Sequence, residues 1–152
     1  MPQNLGQTDI VPIINEAMNL LDATFKKNEV KYKVNLPKSE VLMKADTIQL
    51  TQVIFNLVLN AIYFSPKNGL ITISLEETKK KIILKISDEG PGISSENVQK
   101  IFQPFFTTKT VGDGSGLGLS VVHGIIRSHR GTIDYQPNIP TGAIFIITFP
   151  KQ

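Results

Sequence analysis

The sequence predicts an α+β fold, a two-layer α/β sandwich in which a mixed β-sheet of about five strands is covered on one face by about three helices. Segments with helical periodicity are separated by pairs of strand-like segments, so the order lacks the strict alternation of a doubly wound fold. Turn signals such as Ser65-Pro66 and Asn68-Gly69 separate the segments. The 152 residues suit one domain with its own core.

Each element follows from the spacing of its apolar residues. Helices are expected over residues 10–25, capped by Thr8 or Asp9, and over residues 47–64, capped by Asp46. A short helix should run from Ser94 or Ser95 toward residue 101, and a further helix covers residues 117–128. Strands are expected over residues 32–36, 41–43, 70–75, 81–87, 131–135 and 143–149. Residues 103–116 show no periodicity, and so long a loop is usually functional.

Composition and charge exclude several classes of protein. The chain contains no cysteine, which excludes disulfides and thiolate metal sites, and two histidines, His123 and His129, are too few for a metal site. The net charge is +3, and the run Lys79-Lys80-Lys81 predicts a solvated hairpin tip rather than a nucleic-acid surface. No signal peptide is recognisable and no stretch approaches the ~18 apolar residues of a membrane span, so no direct membrane contact is expected.

Asn56 and Asn60 interrupt an otherwise apolar and aromatic run over residues 53–64. Their i, i+4 spacing puts both amides on one side of the predicted helix. A buried amide without a partner costs on the order of 1–3 kcal/mol, so each amide must find partners. Two interpretations are open: core asparagines satisfied by backbone groups, or a polar cleft in which a carbonyl oxygen faces Mg²⁺.

Two glycine-rich segments favour contact with a flat, anionic ligand. The first, Asp88-Glu89-Gly90-Pro91-Gly92, lets a ligand approach closely and offers Asp88 to an exocyclic amine, although a plain turn explains the same residues. The second, residues 112–119, ends where an apolar helix begins, so free amides and the helix dipole converge on an anion site. It lacks the ending of a P-loop and the placement of a dinucleotide-binding turn.

Lys109 and a cluster of phenylalanines lie in the loop before the second glycine-rich segment. Lys109 offers a point charge to a phosphate, although a solvated surface lysine is the commoner case. Phe102 and Pro104-Phe105-Phe106 either anchor one base of a mobile lid or fill the edge of the core.

Together these segments resemble the catalytic domain of histidine kinases in the GHKL superfamily, the Bergerat-fold ATPases, whose fold is a mixed sheet backed by helices. The resemblance covers residues 46–149. Its segments are an asparagine box (residues 52–61), a first glycine box (Asp88, Gly90 and Gly92), a phenylalanine box (residues 102–106), Thr107-Thr108-Lys109, a second glycine box (residues 114–118) and Thr141-Gly142. Each is weakly specific, but their order and spacing are highly specific. Residues 105–131 resemble the nitrogen-regulation type of sensor kinase in particular.

The resemblance implies ATP and Mg²⁺ as ligands and a role for each segment. Asn60 would hold Mg²⁺ with Asn56 assisting, and both belong with Lys109 to the implied catalytic set. Asp88 would bind the adenine amino group, and residues 103–115 would form the ATP lid. The implied ATP-binding residues are Asn56, Asn60, Asp88, Gly90, Gly92, Ile93, Phe102, Thr107, Thr108, Lys109, Gly114, Ser115, Gly116, Leu117, Gly118 and Leu119.

One position separates kinases from hydrolases in this superfamily. ATPase branches such as gyrase carry a water-activating glutamate one helical turn before the magnesium asparagine. Here that position is Asn56, and an amide cannot act as a general base, so the resemblance implies transfer rather than hydrolysis. Tyr63 departs from the many family members that carry Lys or Arg there, and a phosphate contact is not implied at that position.

The predicted function is the ATP-binding catalytic domain of a two-component sensor histidine kinase that phosphorylates a histidine on a separate helical dimerisation domain. Residues 1–8 are expected to be a linker remnant from that domain and residues 9–152 the catalytic domain. A response-regulator receiver domain is the expected onward partner. The isolated domain is expected to be monomeric and cytoplasmic, whether or not the parent protein is anchored in a membrane. The alternatives are a serine/threonine kinase of the anti-sigma-factor type and a nucleotide-binding module without catalysis.

Overall fold

The structure, a computed structural model, describes residues 5–98, 100–101 and 118–151. The elements in these ranges are β1 (Gly6–Asp9), α1 (Ile10–Lys27), β2 (Lys31–Asn35), β3 (Leu42–Ala45), α2 (Thr47–Phe64), β4 (Leu70–Glu77), β5 (Lys81–Ser87), α3 (Gly118–Ser128), β6 (Thr132–Pro137) and β7 (Ala143–Pro150).

Five of the strands form one mixed sheet in the order β2-β4-β5-β7-β6. β2 runs parallel to β4, and the other neighbouring pairs are antiparallel. The lysine run turns between β4 and β5, where the Thr78 N–H donates to the Lys81 carbonyl at 2.8 Å, as the predicted hairpin tip requires. β1 and β3 pair separately as a two-stranded antiparallel sheet. The predicted α+β architecture is confirmed.

The core lies between one face of the sheet and the helix layer. Alternate residues of β4, β5 and β7 are buried, as expected of a sheet with one face packed against a core. α2 packs against both α1 and α3, so it is the central helix of the layer. Fully buried side chains such as Ile14, Val53 and Ile73 contribute about 1.5–3 kcal/mol each in transfer free energy.

Two aspartates cap the long helices, as the sequence predicts. The Asp9 carboxylate accepts from the Val11 N–H at 3.1 Å and from the Val41 N–H at 3.0 Å, so it joins the start of α1 to the segment entering β3. The Asp46 carboxylate accepts from the Gln49 N–H at 3.0 Å at the start of α2. Such caps satisfy amides that the first helical turn leaves without partners.

By length and composition alone, α2 is long and apolar enough to cross a membrane, contrary to the expectation that no stretch approaches such a span. The share of its residues buried inside the structure is 39%. The buried residues form a stripe between α1 and α3, which is the pattern of a core helix in a globular domain.

Three local predictions differ from the structure. The predicted helix from Ser94 toward residue 101 is wrong: the described residues there form turns, with the Asn97 and Val98 amides both donating to the Ser94 carbonyl. The strand predicted at residues 41–43 lies at Leu42–Ala45. β1 was not predicted, because it depends on backbone pairing with β3 and has no apolar alternation of its own.

Candidate nucleotide-binding site

Asp88 follows β5 and is 4% exposed. Its Oδ1 atom accepts from the Gly90 N–H at 2.9 Å and from the Ala143 N–H at 3.2 Å. Its Oδ2 atom has no hydrogen bond to any residue that the structure describes and is available to a ligand donor. Burial raises the pKa of the Asp88 carboxyl, and the two backbone hydrogen bonds act in the opposite direction.

Residues 88–93 form a tight segment that we call the first glycine loop. A Cβ at Gly90 would clash with the Phe64 carbonyl at the end of α2, so this position admits only glycine. Gly92 has φ +78°, and a Cβ there would lie 2.9 Å from the Gly142 carbonyl oxygen. The Gly90 contact places the loop against the last turn of α2, one helical turn beyond Asn60.

The β6–β7 loop, residues 138–142, clamps the first glycine loop from the other side. The Asn138 Nδ2 atom donates to the Asp88 carbonyl at 2.7 Å, and the Thr141 hydroxyl donates to the Glu89 carbonyl at 3.2 Å. Gly142, at φ +116°, sits so close to the Asp88 carbonyl that a Cβ would clash with it. Thr141-Gly142 is recognisable in the sequence, but Asn138 is not, since 50 residues separate it from Asp88 and no local pattern marks the contact.

Asn56 and Asn60 lie on the half-exposed side of α2, and neither side chain has a hydrogen bond to a described residue. Of the two interpretations left open by the sequence, core asparagines satisfied by backbone groups do not fit this geometry. The amides are accessible to a ligand on the side of α2 away from its fully buried stripe.

α3 packs against the helix that carries these asparagines. The Asp46 N–H donates to His129 Nε2 at 3.0 Å, so the residue that follows α3 is held at the start of α2. The 11 residues of α3 span about 16 Å at 1.5 Å per residue.

His129 is structural in this arrangement. Its Nδ1 atom lies 2.8 Å from the Ile125 carbonyl, so Nδ1 carries the proton and Nε2 accepts from Asp46. The ring is 7% exposed and packs edge-on against Phe149.

Several predicted site residues lie outside the residues that the structure describes: Phe102, Thr107, Thr108, Lys109, Gly114, Ser115, Gly116 and Leu117. The predicted lid lies there as well. Gly118 and Leu119 begin α3, and, its own helical turn aside, no atom of the described residues lies within 4 Å of a Cβ placed at Gly118. Within the described ranges no cluster of three His, Cys, Asp or Glu side chains could hold a metal ion.

Comparison with known proteins agrees with this geometry. Residues 45–152 match the family model described as histidine kinase-, DNA gyrase B- and HSP90-like ATPase. The sensor histidine kinase ZraS of Salmonella typhi is 37% identical over 147 residues, which are 96% of this chain and 31% of that protein. The chain thus spans about a third of that relative's length.

Solved structures are similar along nearly the whole chain. The catalytic domain of histidine kinase ThkA superposes with a TM-score of 0.88 at 33% identity, covering 97% of this chain and 98% of that one. ThkA in complex with the response regulator protein TrrA matches with a TM-score of 0.85 at 31% identity, covering 99% of this chain and 42% of that one.

Proposed function

The chain belongs to the family of histidine kinase-, DNA gyrase B- and HSP90-like ATPases, as the catalytic domain of a two-component sensor histidine kinase, and we propose that it presents the γ-phosphate of Mg·ATP to a histidine on a separate helical domain. The hydrogen bonding of the Asp88 carboxylate is the observation that supports this proposal. Its Oδ1 atom is committed to two backbone amides, and its Oδ2 atom is left for the exocyclic amino group of adenine. The glycines at 90 and 92 let the planar base approach the backbone.

Asn60 is proposed to hold Mg²⁺, with Asn56 assisting. The donor fits the ion, because the Asn60 amide is half-exposed, has no partner among the described residues and offers an oxygen of the type that Mg²⁺ prefers. When bound, Mg²⁺ would neutralise phosphate charge. Lys109 and the amides of residues 116–118 are proposed to bind the phosphates, with residues 103–115 as the lid.

Asn56 determines what the site does with the phosphate. It occupies the position one turn before Asn60, and its amide cannot remove a proton from water. The chain's residues therefore bind and orient the phosphoryl donor without activating water for hydrolysis. The acid or base that assists the acceptor histidine must come from the acceptor domain.

The proposed partner domains, cellular location and oligomeric state follow from this function. The chain is proposed to work with a phosphoacceptor dimerisation domain of its parent protein, to which residues 1–8 would link it, and with a response-regulator receiver domain, as the ThkA complex with TrrA suggests by analogy. We further propose a cytoplasmic location and a monomeric isolated domain. The narrower assignment to the nitrogen-regulation type rests on residues 105–131 and stays a prediction.

Transfer of γ-labelled phosphate tests the function. The chain is incubated with labelled Mg·ATP and the separately produced acceptor domain of its parent, and the expected product is acceptor label that acid removes and alkali spares. Acid-stable label would indicate serine or threonine phosphorylation instead. Rapid release of inorganic phosphate without acceptor label would contradict a transferase.

A further inference from the structure

Tyr135 contacts the far end of the first glycine loop. Its hydroxyl accepts from the Ile93 N–H at 3.0 Å and lies 3.4 Å from the Ile93 carbonyl, to which it donates. A hydroxyl that accepts from and donates to one residue fixes that residue's position and its own rotation. The same oxygen would lie 3.3 Å from a Cβ at Gly92, so it also lies beside the residue before Ile93.

The tyrosine is itself held rigidly. It pairs with Phe145 in the β6–β7 register, and the two rings pack edge-on with centroids 6.0 Å apart. Although β6 is an edge strand, a side chain on it is a more rigid support than one on a loop, since β6 is hydrogen-bonded along its length to β7.

The first glycine loop is therefore fixed at both ends. At its start, the Asp88 N–H donates to the Ala143 carbonyl, the Ala143 N–H donates to the Asp88 carboxylate, and the Asp88 carbonyl accepts from Asn138. At its end, the hydrogen bonds to Ile93 come from Tyr135. Between these anchors lie Gly90 and Gly92, whose backbone must stand at the right distance from a base bound to the Asp88 Oδ2 atom.

We propose that Tyr135 is a positioning residue for nucleobase recognition, because its hydroxyl holds the Gly92–Ile93 backbone against the face of a 6-aminopurine base while Asp88 binds the 6-amino group. This role rests on the proposed binding of ATP by the first glycine loop. Tyr135 acts on the ligand only through that loop, so its effect is confined to the base and does not reach the phosphates.

The chain offers a matched control. Tyr32, like Tyr135, is half-buried and packs against a phenylalanine, here Phe25 at 4.4 Å between centroids, and its hydroxyl donates to Asp22 at 3.0 Å. Tyr32→Phe and Tyr135→Phe therefore each remove one oxygen atom and keep the ring. Tyr32 lies on β2, the edge strand on the side of the sheet opposite β6, and has no hydrogen bond to the first glycine loop.

The test compares Mg·ATP and Mg·GTP affinities by calorimetric titration. Tyr135→Phe should weaken ATP binding about threefold to tenfold, the equivalent of one neutral hydrogen bond, and should lower the ratio of ATP to GTP affinity. Hydrogen exchange of the Ile93 amide should become faster by a similar factor. Tyr32→Phe should change none of these quantities, and melting curves check that both variants fold.

If Tyr135 has only a structural role, a different pattern of ATP and GTP affinities is expected. Equal weakening of ATP and GTP, or an ATP affinity within twofold of the unchanged chain, would overturn the assignment even if the melting temperature fell. Absence of Mg·ATP binding to the unchanged chain would overturn the proposed function, and the Tyr135 role with it.

Discussion

Replacing Asp88 with asparagine changes one atom of the proposed base pocket and keeps the fold. The asparagine Oδ1 atom can accept from the Gly90 and Ala143 amides as the carboxylate does, which forces Nδ2 into the place of Oδ2. The opposite orientation would point the NH₂ group at two N–H donors. The adenine amino group would then face a donor where it needs an acceptor.

The expected loss of Mg·ATP affinity follows from the lost hydrogen bond. A hydrogen bond to a charged group contributes about 1.5–3 kcal/mol, and 1.4 kcal/mol is a factor of ten, so Mg·ATP should bind about 10- to 150-fold more weakly. The unfolding free energy should stay the same or rise, because burial raises the pKa of Asp88 and the ionised carboxylate is therefore destabilising in the folded chain.

Calorimetric titration measures the affinity, and urea unfolding measures the stability. Asp134→Asn, at an exposed position on β6, is the charge-matched control and should bind ATP normally. An Asp88→Asn variant that folds and binds Mg·ATP as tightly as the unchanged chain would refute Oδ2 as the adenine acceptor.

Three further predictions concern pH, the metal and the helix layer. ATP affinity should fall as pH falls through the raised pKa of Asp88, because protonation removes the acceptor. The loss is measured as the pH-dependent difference in ATP affinity between the unchanged chain and the Asp88→Asn variant. This difference cancels the contribution from titration of the phosphates, which is the same for both proteins. Asn60→Ala should abolish most of the Mg²⁺ dependence of ATP binding in titrations with and without EDTA, while Asn19→Ala on the exposed face of α1 should leave it unchanged. His129→Ala should lower the unfolding free energy measured in urea by about 2–4 kcal/mol, since it removes two hydrogen bonds and leaves the buried Asp46 N–H without that acceptor. A loss below about 1 kcal/mol, roughly one hydrogen bond, would contradict a stabilising role of His129 between α3 and α2.

Much of the fold was predictable because its signals are local. α2 begins after the Asp46 cap and ends before Ser65-Pro66, and both boundaries agree with the prediction. The prediction of a helix after Ser94 was wrong because a short helix offsets its nucleation cost only through packing. The described residues there form turns instead. β1 was missed because a strand of Gly-Gln-Thr-Asp forms only where a partner such as β3 offers its backbone.

Residue types and their order predict the chemistry proposed for this protein: an acid after a strand, two amides on one side of an apolar helix, and an amide at Asn56 in place of a glutamate that could activate water. The tertiary structure alone decided which oxygen of Asp88 accepts from the Ala143 N–H, because that donor lies 55 residues along the chain. It likewise brought Tyr135 to Ile93, 42 residues away. Long-range hydrogen bonds depend on how strands pair, and no local spacing of residues records that pairing.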